Sequence, residues 1–102
     1  MAKLSVIVTI TAKPGQREAL LAAFDDFFGH VEDEAGTEQY VLHRSTTNPD
    51  LCFMTELYAD HAAFEAHSGS EPFAALTGKL GAHIDQVDLQ LAEPVKAVGV
   101  DL

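Results

Sequence analysis

The segment from Phe53 to His67 constrains the fold of this chain more than any other stretch of its sequence. Residues 53–58 are mostly apolar or aromatic, as in a β-strand, and Asp60 follows as a residue type favoured at a helix N-cap. A short helix is then predicted through His67, where Ser68 and Gly69 break it. A strand that turns directly into a helix predicts a domain of mixed α and β structure.

A glutamate, Glu56, lies inside this otherwise apolar strand. A buried carboxylate costs several kcal/mol unless it is paired or hydrogen-bonded. A glutamate at position 56 therefore has two possible explanations. It is either a base in a ligand pocket, where desolvation raises its pKa, or one half of a structural pair with a lysine, an arginine or a backbone amide.

Composition narrows the classes of function. The 102 residues predict one domain, 1–102, and 16 acidic against 6 basic side chains give a net charge of −10. Such a surface repels phosphates and anionic lipid, so we expect no nucleic-acid or membrane partner. Cys52 is the only cysteine, which excludes an intrachain disulfide and fits a cytoplasmic protein. We predict neither a signal peptide nor a membrane span.

The spacing of apolar residues predicts seven elements in the order βαββααβ. A first strand at 3–13 is followed by one long amphipathic helix, with Gly36 expected just past its C-terminus. Ser70 is expected to cap the last helix, with Pro72 in its first turn. The other strands are predicted at 39–45, 51–58 and 84–98, and Pro94 indicates an edge or a bulge in the last one.

These elements pack most simply as a four-stranded antiparallel sheet with helices on one face, a ferredoxin-like α+β fold. The strands are apolar on both sides, since Val6 and Val8 flank Ile7 in the first strand and Phe53 lies opposite Met54 in the third. The helices can cover only one of these faces. We therefore expect a second copy of the chain to cover the other, in a homodimer.

Three segments resemble the antibiotic biosynthesis monooxygenase (ABM) family of dimeric α+β barrel proteins. They are residues 6–15 before the long helix, residues 34–44 around the second strand, and residues 56–73. The resemblance covers nearly the whole chain. It implies a pocket between sheet and helices, and activities that include cofactor-independent oxygenation of quinols and aromatic polyketides, haem degradation, and isomerisation of a phosphorylated quorum signal.

This chain departs from the family at the residues that some members use for catalysis. It has no tryptophan, and Tyr58 stands where many members have one. Met54 matches the position of the asparagine used by the polyketide oxygenases. Because the asparagine and the histidine ligand of the haem-degrading members have no match either, a haem role is disfavoured.

Three residues are predicted to be catalytic: Glu56, His67 and His43. Glu56 shares a strand face with Met54 and Tyr58, a face that looks under the helices in the family. His67 can donate to a substrate oxygen or exchange protons near neutral pH, or it can serve only as a helix-terminal residue that interacts with carbonyls. His43 points either into the pocket or outward, because the sequence does not fix the register of its strand.

The predicted substrate-binding side chains are apolar or aromatic, and each has a plain core role as its alternative. They are Tyr58, Tyr40, Met54, Phe64 and Phe73. His61 and Glu65 are four residues apart, but no third ligand accompanies them, so no metal site is expected. The chain also lacks a glycine-rich phosphate-binding loop, and we expect it to need no cofactor.

The resulting expectation is a cofactor-independent monooxygenase. Its partners would be dioxygen and a small quinol or polyketide-like aromatic, which the protein desolvates, deprotonates and holds as an anion. The same groups suit two alternatives, an isomerase of a small keto compound and a small-molecule binding protein without catalysis.

Overall fold

The computed structural model describes residues 2–102, which form four strands and four helices. The elements are β1 (Leu4–Ala12), α1 (Arg17–Ala22), α2 (Asp25–Val31), β2 (Thr37–Arg44), β3 (Leu51–Tyr58), α3 (His61–Ser68), α4 (Glu71–Leu80) and β4 (Ile84–Ala92). The strands make one sheet in the order β2-β3-β1-β4, and every neighbouring pair is antiparallel. The predicted ferredoxin-like α+β fold is therefore confirmed.

The helices pack on one face of the sheet, as the strand alternation predicts. Val6, Val8 and Ile10 of β1 are buried there together with Leu20 of α1 and Leu76 of α4. On the opposite face, the side chain between Val6 and Val8 is 45% exposed. One face of the sheet thus contributes most of the hydrophobic core, and any site beneath the helices must be built from that face.

The prediction of one long helix is wrong, because the segment is divided into α1 and α2 at Ala23 and Phe24. Both residues keep right-handed helical dihedral angles, but the amide of Phe24 donates to the carbonyl of Leu21, only three residues back. This tighter turn interrupts the α-helical hydrogen bonding, while Phe24 and Phe27 both remain in the core. Apolar periodicity continues through the break and therefore did not reveal it.

Gly36 does not end that helix, since α2 stops at Val31 and the φ angle of Gly36 is not positive. The glycine is needed for a different reason. A Cβ at position 36 would collide with the Cβ of Ala63 in α3. The carbonyl of Gly36 also accepts from the amide of Ala59 at 2.9 Å, so this close approach ties the start of β2 to the turn before α3.

The predicted caps of the last two helices are confirmed. The carboxylate of Asp60 accepts from the amide of Ala63 at 2.8 Å. The hydroxyl of Ser70 accepts from the amide of Phe73 at 3.2 Å, and Pro72 lies in the first turn of α4. Each cap satisfies a helix-terminal N–H that has no partner within the helix, so the chain turns from β3 into α3 without a long loop.

The fourth strand is shorter than predicted, because β4 ends at Ala92 rather than near residue 98. Its last pairing joins Ala92 to Ser5, near the start of β1, and β4 is an edge strand, as Pro94 indicated. The residues after β4 cross to the opposite face, where Pro94 lines a depression together with Ile7 and Leu57. Ile7 and Val41 remain well exposed on this face, and the homodimer stays a prediction.

Within residues 2–102, the helices are all too short or too polar to traverse a lipid bilayer.

Candidate active site

A cavity of about 340 Å³ lies between the helix-covered face of the sheet and helices α3 and α4. This volume is at the lower end of the range usual for small-molecule sites. The sheet contributes Val8, Ile10, Tyr40, Met54 and Glu56, among others. Helices α3 and α4 contribute Phe64, His67, Phe73, Leu76 and Thr77, and Phe24 comes from the junction between α1 and α2. The lining is mainly apolar, so its carboxyl and imidazole groups, those of Glu56 and His67, dominate its electrostatics.

Glu56 reaches the cavity because β3 alternates and because its neighbours are in register with it. It pairs with Val6 of β1 on one side and Tyr40 of β2 on the other, and it is only 9% exposed. Its partner is the hydroxyl of Tyr58, two residues further along the same strand face, which donates to Oε1. Among residues 2–102, no lysine or arginine forms an ion pair with Glu56.

Burial makes Glu56 a far weaker acid than an ordinary glutamate. Desolvation raises its pKa from 4.5 to about 7, the hydrogen bond from Tyr58 acts in the opposite direction, and the nearby charge of Glu34 adds to the rise. A carboxylate with a pKa near neutral is well matched to proton transfer at physiological pH, because it is both available and basic.

His67 enters the same cavity from the last turn of α3 and is 2% exposed. Four aromatic rings surround the imidazole at centroid distances of 5.2 to 5.6 Å: Phe27, Tyr40, Tyr58 and Phe73. Its Nδ1 lies 2.7 Å from Oε1 of Glu34. The imidazole is therefore a buried group with a carboxylate partner, rather than an exposed residue at a helix end.

Glu34 is the residue of this site that sequence reasoning missed. It lies between α2 and β2, and its Oε1 accepts from the Thr37 hydroxyl at 2.8 Å as well as from His67. His30 Nε2 lies 3.1 Å from its other oxygen, Oε2. Partial burial alone would raise the pKa of Glu34, but the bonds to His67 and Thr37, together with the charges of His67 and His30, hold this pKa below its ordinary value.

The predicted substrate-binding residues fall into two groups. Tyr40, Met54, Phe64 and Phe73 line the cavity. Tyr58 does not; it is fully buried behind Glu56, with its ring 5.4 Å from that of Phe64. Desolvation strongly raises the pKa of both tyrosines, and neighbouring carboxylates add to the rise, so both phenols are neutral.

His43 is placed away from the cavity. In β2 it pairs with Phe53 on the face that the helices leave open, and its Nε2 lies 2.9 Å from the hydroxyl of Thr55. Of the three residues predicted to be catalytic, the structure therefore brings Glu56 and His67 together and separates His43 from them.

No three His, Cys, Asp or Glu side chains converge on a possible metal position in the part of the chain that the structure describes, residues 2–102. Glu34 does lie between His30 and His67, but these contacts are those of a hydrogen-bonded carboxylate. That the chain works without a metal remains a prediction.

Comparison with known proteins identifies the family. The sequence profile described as antibiotic biosynthesis monooxygenase matches residues 4–78, which is most of the chain. This chain belongs to the antibiotic biosynthesis monooxygenase family. The matched residues of this ABM protein run from β1 into α4 and include Glu34, Glu56 and His67.

Solved structures of similar proteins agree with this assignment. PA3566 of Pseudomonas aeruginosa is 31% identical, with a TM-score of 0.85 over 94% of this chain and 97% of its own. A candidate antibiotic biosynthesis monooxygenase from Caulobacter crescentus is 25% identical, with a TM-score of 0.87 over 93% and 92%. Rv0793 of Mycobacterium tuberculosis, at 22% identity, shares the fold, with a TM-score of 0.86 over 96% and 100%. No curated protein matches the sequence.

The cavity of this ABM protein has an open side that lies beyond the matched residues. Val87 and Leu89 of β4 line it and are each 49% exposed, although their side chains lie on the same sheet face as the buried Val8 and Ile10. They are exposed because the helices cover β3 and β1 more fully than the β4 edge. An apolar molecule can therefore approach Glu56 and His67 along β4.

Proposed function

We propose that this chain is a cofactor-independent monooxygenase that oxidises a quinol or a polyketide-like hydroxyaromatic with dioxygen. The observation that carries the proposal is the carboxylate of Glu56, whose pKa is raised to about 7 in an apolar cavity of about 340 Å³. Membership of a family named for monooxygenation supports the reaction class. An electron-rich aromatic anion can itself supply the electrons that dioxygen requires.

The reaction begins with proton transfer. Glu56 takes the proton of a ring hydroxyl, and the apolar walls leave the resulting anion with little solvation, which favours its oxidation. The anion passes one electron to dioxygen, and the two radicals combine at a ring carbon to form a peroxide. Tyr58, which donates to Glu56, keeps the carboxylate in place throughout.

The second half of the reaction needs another base. The peroxide is protonated, the ring carbon loses its hydrogen as a proton, and the O–O bond breaks so that one oxygen stays on carbon and the other leaves as water. In sum, a ring O–H, a ring C–H and dioxygen give two C=O groups and water, and the proton first taken by Glu56 is the one returned to the peroxide. His67, which lines the same cavity, is the group we assign to the carbon-bound proton.

The aromatic residues of the cavity serve to position the ring. Tyr40, Phe64 and Phe73 line the cavity, and aromatic side chains favour offset or edge-to-face contacts with an aromatic substrate. Tyr40 remains a neutral phenol because burial raises its pKa, so it can donate a hydrogen bond to a substrate oxygen without competing for the proton.

Oxygen uptake with a panel of quinols, anthrones and small keto compounds tests the proposal. We expect turnover of at least one hydroxyaromatic in air, none under nitrogen, and a loss of about 100- to 10,000-fold in kcat for Glu56→Gln. Substrate binding should change little, since the amide keeps the shape and a hydrogen-bonding oxygen.

A matched control and two contrary outcomes make this test decisive. Glu65→Gln removes an exposed carboxyl of α3 and should leave kcat unchanged. Turnover that continues under nitrogen would instead indicate the isomerase. Binding of aromatics without any turnover would indicate a binding protein, and either result would refute the monooxygenase.

A further inference from the structure

The contact between His67 and Glu34 restricts which nitrogen of the imidazole carries hydrogen. Nδ1 of His67 lies 2.7 Å from Oε1 of Glu34, which is a hydrogen-bond distance. The Thr37 hydroxyl donates to the same oxygen, and the pKa of Glu34 is held below its ordinary value, so Glu34 is an ionised carboxylate, which can only accept. Nδ1 must therefore donate, and in the neutral ring Nε2 is left with a free lone pair.

Glu34 is itself held firmly, so it can impose this arrangement. The Thr37 hydroxyl donates to the oxygen that faces His67, and His30 lies 3.1 Å from the other oxygen. Both oxygens thus have partners, and rotating the carboxylate away from His67 would break several hydrogen bonds at once.

The imidazole is equally restricted. The four rings around it leave little room for the ring to flip, because their centroids lie within 5.6 Å of its own. His67 lines the cavity and Glu34 does not, so the edge bearing Nδ1 faces away from the cavity. Nε2 is the nitrogen that remains for a molecule inside it.

We infer that Glu34 is a positioning residue that holds His67 in the tautomer with hydrogen on Nδ1, so that Nε2 presents its lone pair to the bound substrate. The inference rests on the proposed function, in which His67 removes a carbon-bound proton as the O–O bond breaks. The C–H bond breaks, an Nε2–H bond forms, and the Glu34 carboxylate stabilises the imidazolium through Nδ1–H. The proton then passes to the departing oxygen to complete water.

The tautomer can be measured without any substrate. In the ¹⁵N-labelled wild-type protein above pH 7.5, two-bond ¹H–¹⁵N correlations should show a protonated Nδ1 and an unprotonated Nε2 for His67. A wild-type spectrum with hydrogen on Nε2 overturns the inference, whatever the variants do. This measurement stays valid even if a variant at Glu34 fails to fold.

Variants then test the cause and the consequence. Glu34→Ala should shift His67 toward the Nε2–H tautomer and lower kcat by about 100-fold, the lower end of what acid–base catalysis contributes, with little change in KM. His61→Ala is the matched control, because it removes an exposed histidine of α3 whose carboxylate partner is Glu65, and it should preserve both the tautomer and kcat. A Glu34→Ala protein with the wild-type tautomer, or with full activity, refutes the positioning role.

Failure of this inference can be told apart from failure of the proposed function. If Glu56→Gln abolishes oxygen uptake and Glu34→Ala does not affect it, the monooxygenase proposal is supported and the positioning role of Glu34 is refuted. If no substrate turns over but His67 carries its hydrogen on Nδ1 in a way that depends on Glu34, the monooxygenase proposal is refuted. Glu34 then still sets the tautomer of His67.

Discussion

The ionisation of Glu56 should make the folded protein less stable as the pH rises from about 5 to about 8. Burial raises the pKa of this carboxyl from 4.5 to about 7, so the folded state holds the proton more tightly than the unfolded chain does. A group with a raised folded pKa contributes its full stability below the unfolded value and loses it as the pH passes through the folded value. This is the opposite of the usual behaviour of a carboxyl group.

The size of the effect follows from the same numbers. Each pKa unit corresponds to about 1.36 kcal/mol, so a rise from 4.5 to about 7 amounts to roughly 3 kcal/mol between acidic and mildly alkaline pH. This is a large fraction of the 5–15 kcal/mol or so that stabilises a typical domain. Glu34 works in the opposite sense, since its pKa is lowered and its contribution is lost as the pH falls.

Glu56→Gln isolates this contribution. The variant cannot ionise at position 56, so the wild-type free energy of unfolding minus that of the variant should fall by roughly 3 kcal/mol from about pH 5 to about pH 8. Urea unfolding followed by circular dichroism, at one fixed protein concentration, measures both values. Glu65→Gln, at an exposed carboxyl, should show the pH dependence of the wild type. A difference in free energy of unfolding between wild type and Glu56→Gln that is independent of pH, or that grows with pH, would refute the reasoning.

Two further predictions concern the open sheet face and a close contact. Sedimentation at micromolar concentration should give about twice the chain mass of 11.0 kDa, and Ile7→Asp on the exposed face should give the single chain mass; a wild-type monomer would contradict this. Gly36→Ala should destabilise the protein by about 1–3 kcal/mol, because the added Cβ clashes with Ala63. Gly29→Ala, whose Cβ meets no neighbour, should stabilise it by about 0.5–1 kcal/mol. Thermal or urea unfolding measures both changes. Equal effects of the two alanines would exclude the clash.

Local chemistry explains why so much of the fold was predictable. Asp60 and Ser70 are caps because their side chains bond amides only three residues away, so no distant contact is needed to recognise them. Strand alternation likewise places Glu56 on one face with Met54 and Tyr58, and the family resemblance predicted that this face lies beneath the helices.

The parts that escaped prediction depend on contacts between distant residues or on small irregularities. The contact of Glu34 with His67 spans 33 positions, and nothing in either local sequence marks the other. The pairing of β2 with β3 shifts between Thr37 and Gln39, which the residue types of β2 do not reveal, so the face of His43 was undetermined.

The continuity of β3, the Asp60 cap and α3 has a consequence for how the site is assembled. Glu56 and His67 belong to one unbroken strand–turn–helix segment, so closing the small loop between them carries a low entropic cost. Glu34 instead lies in a remote part of the chain, within the connection between α2 and β2. Lengthening that connection would therefore weaken the contact that orients the imidazole of His67. It would leave the spacing between Glu56 and His67 unchanged.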